Sequence, residues 1–219
     1  MAESAMEQRL VFFDLETGGP DPKRHPIIQL AAVAIDHAGE VLEAFEAKLR
    51  FDPKKANAHS LRKNHYHPGV WAKEAGDASQ TAKNFAAFLR RHATTPMLSA
   101  EGRSFHVAQL VAHNAAFDGP FLSTWYDRLD LYLPARRQVL CTLQLALWHF
   151  ALTQATPPSN HQLATLCAHF GIAFHAAAAH EALADVIATV QLFRALSRVA
   201  HPLLAIHQRN KNVTALSFE

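Results

Sequence analysis

Two cysteines in 219 residues are too few for a disulfide framework, and their spacing matches no metal-binding pattern. Cys141 and Cys167 lie inside apolar stretches and read as small buried hydrophobes. No apolar run reaches the roughly 18 residues of a membrane span, so no membrane association is expected. The opening MAESAMEQRL lacks a basic start followed by an apolar core, so no secretory signal is expected. A reducing, cytoplasmic setting fits these absences. Repeats and low-complexity linkers are also missing. A net charge of +2 is too small to mark a nucleic-acid binder by itself. What remains is a chain that is 49% hydrophobic and 18% charged, the composition of a globular protein, and long enough for one large α/β domain.

Strand and helix signals follow in a definite order. Residues 9–15 form a first apolar strand. The turn signal PDPKRHP precedes a second, Ile27–Asp36, and HAGE (37–40) turns into a third, Val41–Leu49. Three strands in succession exclude a pure βαβ repeat. SQTAKNFAAFLRRH (79–92) has a Ser start and helical spacing of apolar residues. TTPMLSAEGRS (94–104) reads as a loop, Val107–Ala112 as a short strand, and HNAAFDGPFLSTWYDRL as largely helical. Val139–Cys141 is a fifth short strand. Helices are expected near 142–153, 160–169 and 181–198, the middle one capped by Ser159 or Asn160 and ended by Gly171. The stretch after 200 has no strong period and reads as a tail. The whole is one mixed-sheet α/β domain over residues 1–200, with a tail at 201–219.

The chemistry begins at VFFDLETGGP (11–20). Asp14 and Glu16, at i and i+2 of a strand, point to one face with Cα atoms about 7 Å apart. Two such carboxylates repel, and burying either is costly unless a cation answers them. Asp118 follows another buried strand in HNAAFD, and Asp185 opens the last helix in HEALAD. Four acidic residues from three distant segments, each at the edge of an apolar element, suit a two-metal phosphoryl-transfer site. Oxygen ligands suit Mg²⁺ or Mn²⁺ rather than zinc. On one regular helix, His180 and Asp185 would be roughly 140° apart. If Asp185 is a ligand, His180 therefore sits in the loop or first turn before it, with a pKa of about 6.5 suited to taking a proton from water.

FFDLET, HNAAFD and HEALAD together, with LATLCAHFGI ahead of the last, resemble the three motifs of the DnaQ-like (DEDDh) 3′–5′ exonuclease family over roughly residues 9–198. The resemblance implies an RNase H-like fold: a five-stranded mixed sheet, its first three strands antiparallel, flanked by α-helices. It implies that Asp14, Glu16, Asp118 and Asp185 bind two Mg²⁺ ions, replaceable by Mn²⁺, and that His180 is the general base. Leu15 and Thr17 would line the pocket for the 3′-terminal nucleotide, and Asn114 matches the family's asparagine before the second motif's aspartate. The expected activity is release of 5′-mononucleotides from a free 3′ end of nucleic acid, with DNA favoured and RNA open. A polymerase partner and a homodimer are open as further partners. The stretch TTPMLSAEGRSFH is longer than a minimal domain needs, and the residues after 200 have no family counterpart.

Other readings fit these residues less well. A non-catalytic module on the same fold, binding nucleic acid or a polymerase, would be expected to lack one of the five site residues, and none is lacking. An RNase H-type endonuclease needs no histidine five residues before its last aspartate. The fifteen histidines, including those of HAAAAH (175–180), show no other paired zinc-ligand spacing. His106 and His113 read as strand-end or core residues. Phe117 and Phe121, at i and i+4, read as core, with base stacking the functional reading of Phe117. Asp21, Asp36 and Asp77 read as turn residues. Lys48, Arg50, Lys54, Lys55, Arg62 and Lys63, with His59, His65 and His67 among them, read either as a solvated face or as a phosphate-contacting rim.

Overall fold

A computed structural model describes residues 7–174 and 181–209. His180 and the rest of HAAAAH lie outside the described residues. The core is a five-stranded sheet in the order β3-β2-β1-β6-β7, made of β1 (Leu10–Thr17), β2 (Ile27–Ile35), β3 (Val41–Lys48), β6 (Gln109–Ala112) and β7 (Leu140–Cys141). β1, β2 and β3 pair antiparallel, whereas β6 runs parallel to β1 and β7 parallel to β6. This is the expected mixed sheet with its first three strands antiparallel. Every residue of β2 is buried, as a strand covered on both faces requires.

Alternation along β1 sorts its side chains between two layers. Val11, Phe13 and Leu15 face a cluster built with α3 (Ala78–Arg91) and α4 (Ala115–Arg128), including Phe85, Phe88, Phe121 and Tyr126. Phe12 faces the other side and packs with Ala182, Val186 and Val190 of α7 (Ala182–Arg209). Those three recur every four residues, so one stripe of α7 lies on the sheet. Asp14 and Glu16 share the face of Phe12. They therefore point towards the start of α7, where Asp185 lies one turn beyond the buried Ala182. α5 (Thr142–Thr153) and α6 (Leu163–His169) pack against the middle of α7 through Phe150, Leu166, Leu192 and Leu196.

Several local expectations change. The segment expected as a loop is a hairpin, β4 (Thr95–Leu98) with β5 (Ser104–Val107). Its turn closes through Gly102 N–H donating to Ser99 O at 3.0 Å, with Gly102 at φ +77. Pro96 is tolerated because β4 is an edge strand. The strand expected over Val107–Ala112 is accordingly divided between β5 and β6. Asp77 is the N-cap of α3, accepting from Gln80 N–H at 2.9 Å, so the helix starts before Ser79. α6 starts at Leu163 after the cap position Gln162, and Asn160 accepts from Gln162 N–H at 3.0 Å in the preceding turn. Neither Ser159 nor Asn160 is the cap. Gly171, at φ +67, follows the end of α6 as expected. α7 continues through position 200 to Arg209, beyond the expected end at 198. Cys167 is buried but Cys141 is only half-buried, and both are free thiols. No described helix is long and apolar enough to cross a membrane.

Candidate active site

Because β1 and β6 are parallel, both end at the same edge of the sheet. Their pairing stops at Phe12 and Val111. Beyond it, β1 continues as Asp14–Thr17 while the other chain turns through His113 and Asn114 into α4. The crevice between diverging strand ends is where open α/β sheets place ligands. Here it is a cleft of about 1080 Å³, lined by Asp14, Glu16, Asp118 and Asp185 on one side and by residues 57–64 on another.

Asp14, Glu16 and Asp185 each offer an oxygen within 4.8 Å of the others, close enough to share one cation. Asp118 lines the same cleft but is not part of that close trio. The backbone N–H groups of Leu15 and of Asp118 itself favour its charged form. The three carboxylates of the cleft whose titration is displaced all move upward. Burial raises Asp14 well above the ordinary carboxylate value, with the charges of Asp118, Glu16 and Asp185 adding to it. Burial also lifts Glu16 to about 8, with Asp185 and Asp118 raising it and Lys63 opposing them. Asp118 is pushed up to about 7, again chiefly by burial. A site that holds carboxylates against their preferred ionisation is built for positive charge. The donor set, all carboxylate oxygen, fits a hard divalent cation.

The other wall is fastened to the end of β1. Asn64 Nδ2 donates to Thr17 O at 2.9 Å, and Asn57 N–H to Gly18 O at 2.8 Å. Thr17 Oγ1 donates to Gly19 O at 2.9 Å. A Cβ at Gly18 would come within 2.7 Å of Ala56 Cβ, so this wall approaches β1 as closely as glycine allows. The wall carries α1 (Ala58–Lys63), capped by Asn57, whose side chain accepts from Ser60 N–H at 2.7 Å. His59, Ser60 and Lys63 of α1 line the cleft.

Each described site residue expected from the sequence reaches this cleft: Asp14, Leu15, Glu16, Thr17, Asn114, Asp118 and Asp185 all line it. Asn114 takes a left-handed conformation (φ 62, ψ 49) at the N-cap of α4, without a side-chain capping bond. Phe117 lies in the cleft wall with its ring 5.0 Å from that of Phe121. His113 also lines the cleft. Its Nδ1 accepts from Thr142 Oγ1 at 3.0 Å, and its Nε2 donates to His161 O at 3.1 Å. Burial lowers its pKa, and the neutral ring joins the end of β6 to the segment before α6. Of the basic cluster, Lys63 and His59 face the cleft, whereas Lys48 is paired with Glu74 at 2.8 Å. Lys63 takes the rim position that was one reading of the basic cluster, Asn64 has no expected role, and His113, expected as a strand-end or core residue, lines the cleft as well. The sequence signal for Lys63 and Asn64 is the basic segment they lie in or next to, and that for His113 is its place as the first residue of HNAAFD.

A family model described as exonuclease, RNase T type, matches residues 11–193. Among characterised proteins, the PolC-type DNA polymerase III of Halalkalibacterium halodurans is 30% identical over 188 residues, covering 85% of this chain and 11% of the polymerase. That of Bacillus subtilis is 29% identical over 186 residues, with the same coverage. The fold is similar to that of exonuclease I, with a TM-score of 0.71 and 16% identity, covering 94% of this chain and 44% of the other. It is also similar to the zinc-bound complex of Escherichia coli exonuclease I with single-stranded DNA: TM-score 0.70, 17% identity, 92% and 43% covered. The chain thus spans about a ninth of those polymerases and under half of the exonuclease I chains. With a family model matching most of its length and carboxylates gathered at the sheet edge, this chain belongs to the exonuclease family.

Proposed function

We propose that the chain is a metal-dependent 3′–5′ exonuclease, removing 5′-mononucleotides one at a time from a free 3′ end of nucleic acid, DNA in preference to RNA. The observation that carries the reading is the trio Asp14, Glu16 and Asp185, within 4.8 Å of one another in a cleft that also holds Asp118. These four would hold the metal, two Mg²⁺ ions with Mn²⁺ as a substitute, and hard oxygen donors favour these ions over zinc. When bound, the ions would supply Lewis-acid stabilisation of charge on the phosphoryl oxygens. In this reading the backbone at Leu15 and Thr17, with Asn114, holds the terminal nucleotide, and Phe117 offers a ring face to its base. Asn64 keeps Thr17 in place. His180 takes the proton from the attacking water; support for that role is the HEALAD motif, since the residue lies outside the described residues.

The catalytic unit is taken as residues 1–200. The similarity to PolC-type polymerases supports a polymerase partner, and a homodimer is retained as an alternative assembly. Free thiols at Cys141 and Cys167 agree with a cytoplasmic setting. The test is hydrolysis of a single-stranded oligonucleotide in Mg²⁺, then with excess EDTA. Activity should vanish with EDTA and return on adding Mg²⁺ or Mn²⁺. Undiminished cutting in EDTA would refute the assignment.

A further inference from the structure

A second cavity, of about 220 Å³, lies on the other side of the loop that follows β1. Four cations from four separate segments line it: Arg24 in that loop, Arg50 just after β3, Lys55 in the short turn Pro53–Lys55, and Arg128 at the end of α4. Like charges converging in this way repel unless an anion answers them. No ion pair involves any of the four among the described residues. The carboxylate in the lining, Asp52, is engaged as a cap, accepting from Lys54 N–H at 3.0 Å. Arg50 donates to Ala75 O at 3.5 Å and Arg128 to Lys23 O. Those contacts aim the guanidiniums without neutralising them, and the carboxylate of Asp52 offsets only one of the four charges. His25 and apolar side chains including Leu49, Phe121 and Trp125 form the rest of the lining, and the apolar part strengthens any charge interaction made above it.

Cleft and cavity share two walls. The loop contributes Gly19 and Pro20 to the cleft and Pro22, Arg24 and Pro26 to the cavity. Residues 50–63 contribute Asp52 and Lys55 to the cavity and Asn57 and Lys63 to the cleft. The loop is braced across its base by Gly18 N–H donating to Pro26 O at 2.8 Å. Arg128 holds it to α4 from 105 residues away. A strand leaving the cleft over this loop would meet the four cations next.

We propose that this cavity is a second phosphate-binding site, which takes a backbone phosphate of the substrate strand outside the cleft. The proposal rests on the reading of the cleft as a nuclease site. It gives the strand a grip away from the reacting bond, and it assigns Arg24, Arg50, Lys55 and Arg128 to that grip. Arginine is suited to the task because its planar fork meets two phosphate oxygens at once.

The test is equilibrium binding of a 16-nucleotide single-stranded oligothymidylate, labelled at its 5′ end, in Ca²⁺ buffer over a range of salt concentrations. Each phosphate contact on a single strand contributes roughly 0.7 to the log–log salt slope. Arg24→Ala/Lys55→Ala should weaken binding and flatten the slope by up to about 0.7, the share of the one phosphate held. Arg24→Lys/Lys55→Arg, which keeps the charge, should retain most of the slope. A dinucleotide, too short to leave the cleft, should bind the wild type and the Ala variant equally. An unchanged slope would overturn the proposal. So would equal flattening by Lys73→Ala/Lys83→Ala, which removes two exposed cations outside both cavities. Inorganic phosphate lost from the Ala variant while the 16-mer slope is unchanged would mark a free-anion site and overturn the strand contact. A wild type that binds no 16-mer also overturns it. Hydrolysis of the same 16-mer by the wild type in Mg²⁺ tests the nuclease reading separately: binding with the expected slopes but no hydrolysis would refute that reading and leave the cavity's assignment standing.

Discussion

Removing one negative charge from the cleft should make the metal-free protein more stable, and the gain should grow with pH. Glu16 is only 6% exposed and keeps its proton to about pH 8, mainly because of burial and the charge of Asp185. In the unfolded chain the same carboxyl ionises near its ordinary value of 4.5. Between those two values the folded state binds more protons than the unfolded state, so stability falls as pH rises through this window. At about 1.4 kcal/mol for each pH unit of the interval, the full effect of this one group has an upper bound of roughly 4–5 kcal/mol. Structural relaxation and water entering the cleft reduce that to a few kcal/mol. In a domain of this size, 1 kcal/mol shifts Tm by roughly 2–4 °C. Calorimetry in EDTA should therefore show the wild-type Tm falling by several degrees between pH 5 and pH 8.5. Glu16→Gln should fall less and melt higher than wild type at pH 8.5, and the two should converge near pH 4.5. Adding Mg²⁺ should flatten the wild-type curve. A wild-type Tm that rises over this range, or a Glu16→Gln protein less stable than wild type at pH 8.5, would refute the electrostatic account of the site.

Further expectations concern single contacts. Asp14→Ala and Asp185→Ala should each abolish nuclease activity while the protein still folds; near-wild-type turnover in either would remove that residue from the site. Asn64→Ala deletes the buried bond to Thr17 O and should destabilise the protein by about 1–2 kcal/mol. It should also raise KM more than it lowers kcat, and a pure loss of stability would show that Thr17 needs no such support. Asp77→Ala removes the cap of α3 and should cost about 1 kcal/mol, read as a lower midpoint in urea with the activity of the folded protein unchanged. If His180 is the general base, His180→Gln should lower turnover by roughly 10²–10⁴ while metal affinity holds; loss of metal affinity as steep as in Asp185→Ala would make it a ligand instead.

How far the molecule could be read from its residues depended on the range of the forces involved. β1 and β2 were legible as runs of buried apolar residues, and β3, exposed or half-buried along its length, because the turn HAGE sets it off from β2. The β4–β5 hairpin was not, because Pro96 and Gly102 break the pattern that marks a strand, and four-residue strands carry little periodicity. Asp77 and Ser79 both suit a cap, and only the backbone geometry decides between them. Pro202 announces a helix end soon after 198, yet α7 runs through it. In the site, the carboxylates stood out because their motifs are compact. Asn64 and Thr17 are 47 residues apart and His113 and His161 are 48 apart, so their pairing exists only once the sheet has formed. The four cations of the second cavity span positions 24 to 128 and have no local pattern at all.

The central claim is that the carboxylate cleft removes nucleotides from a 3′ end. Its most direct test is digestion of a 5′-labelled single-stranded oligonucleotide in Mg²⁺, resolved on a sequencing gel. The account predicts a ladder of labelled products shortened one nucleotide at a time from the 3′ end. A circular form of the same strand should remain intact. Immediate release of the labelled 5′ nucleotide, or efficient cutting of the circle, would contradict it.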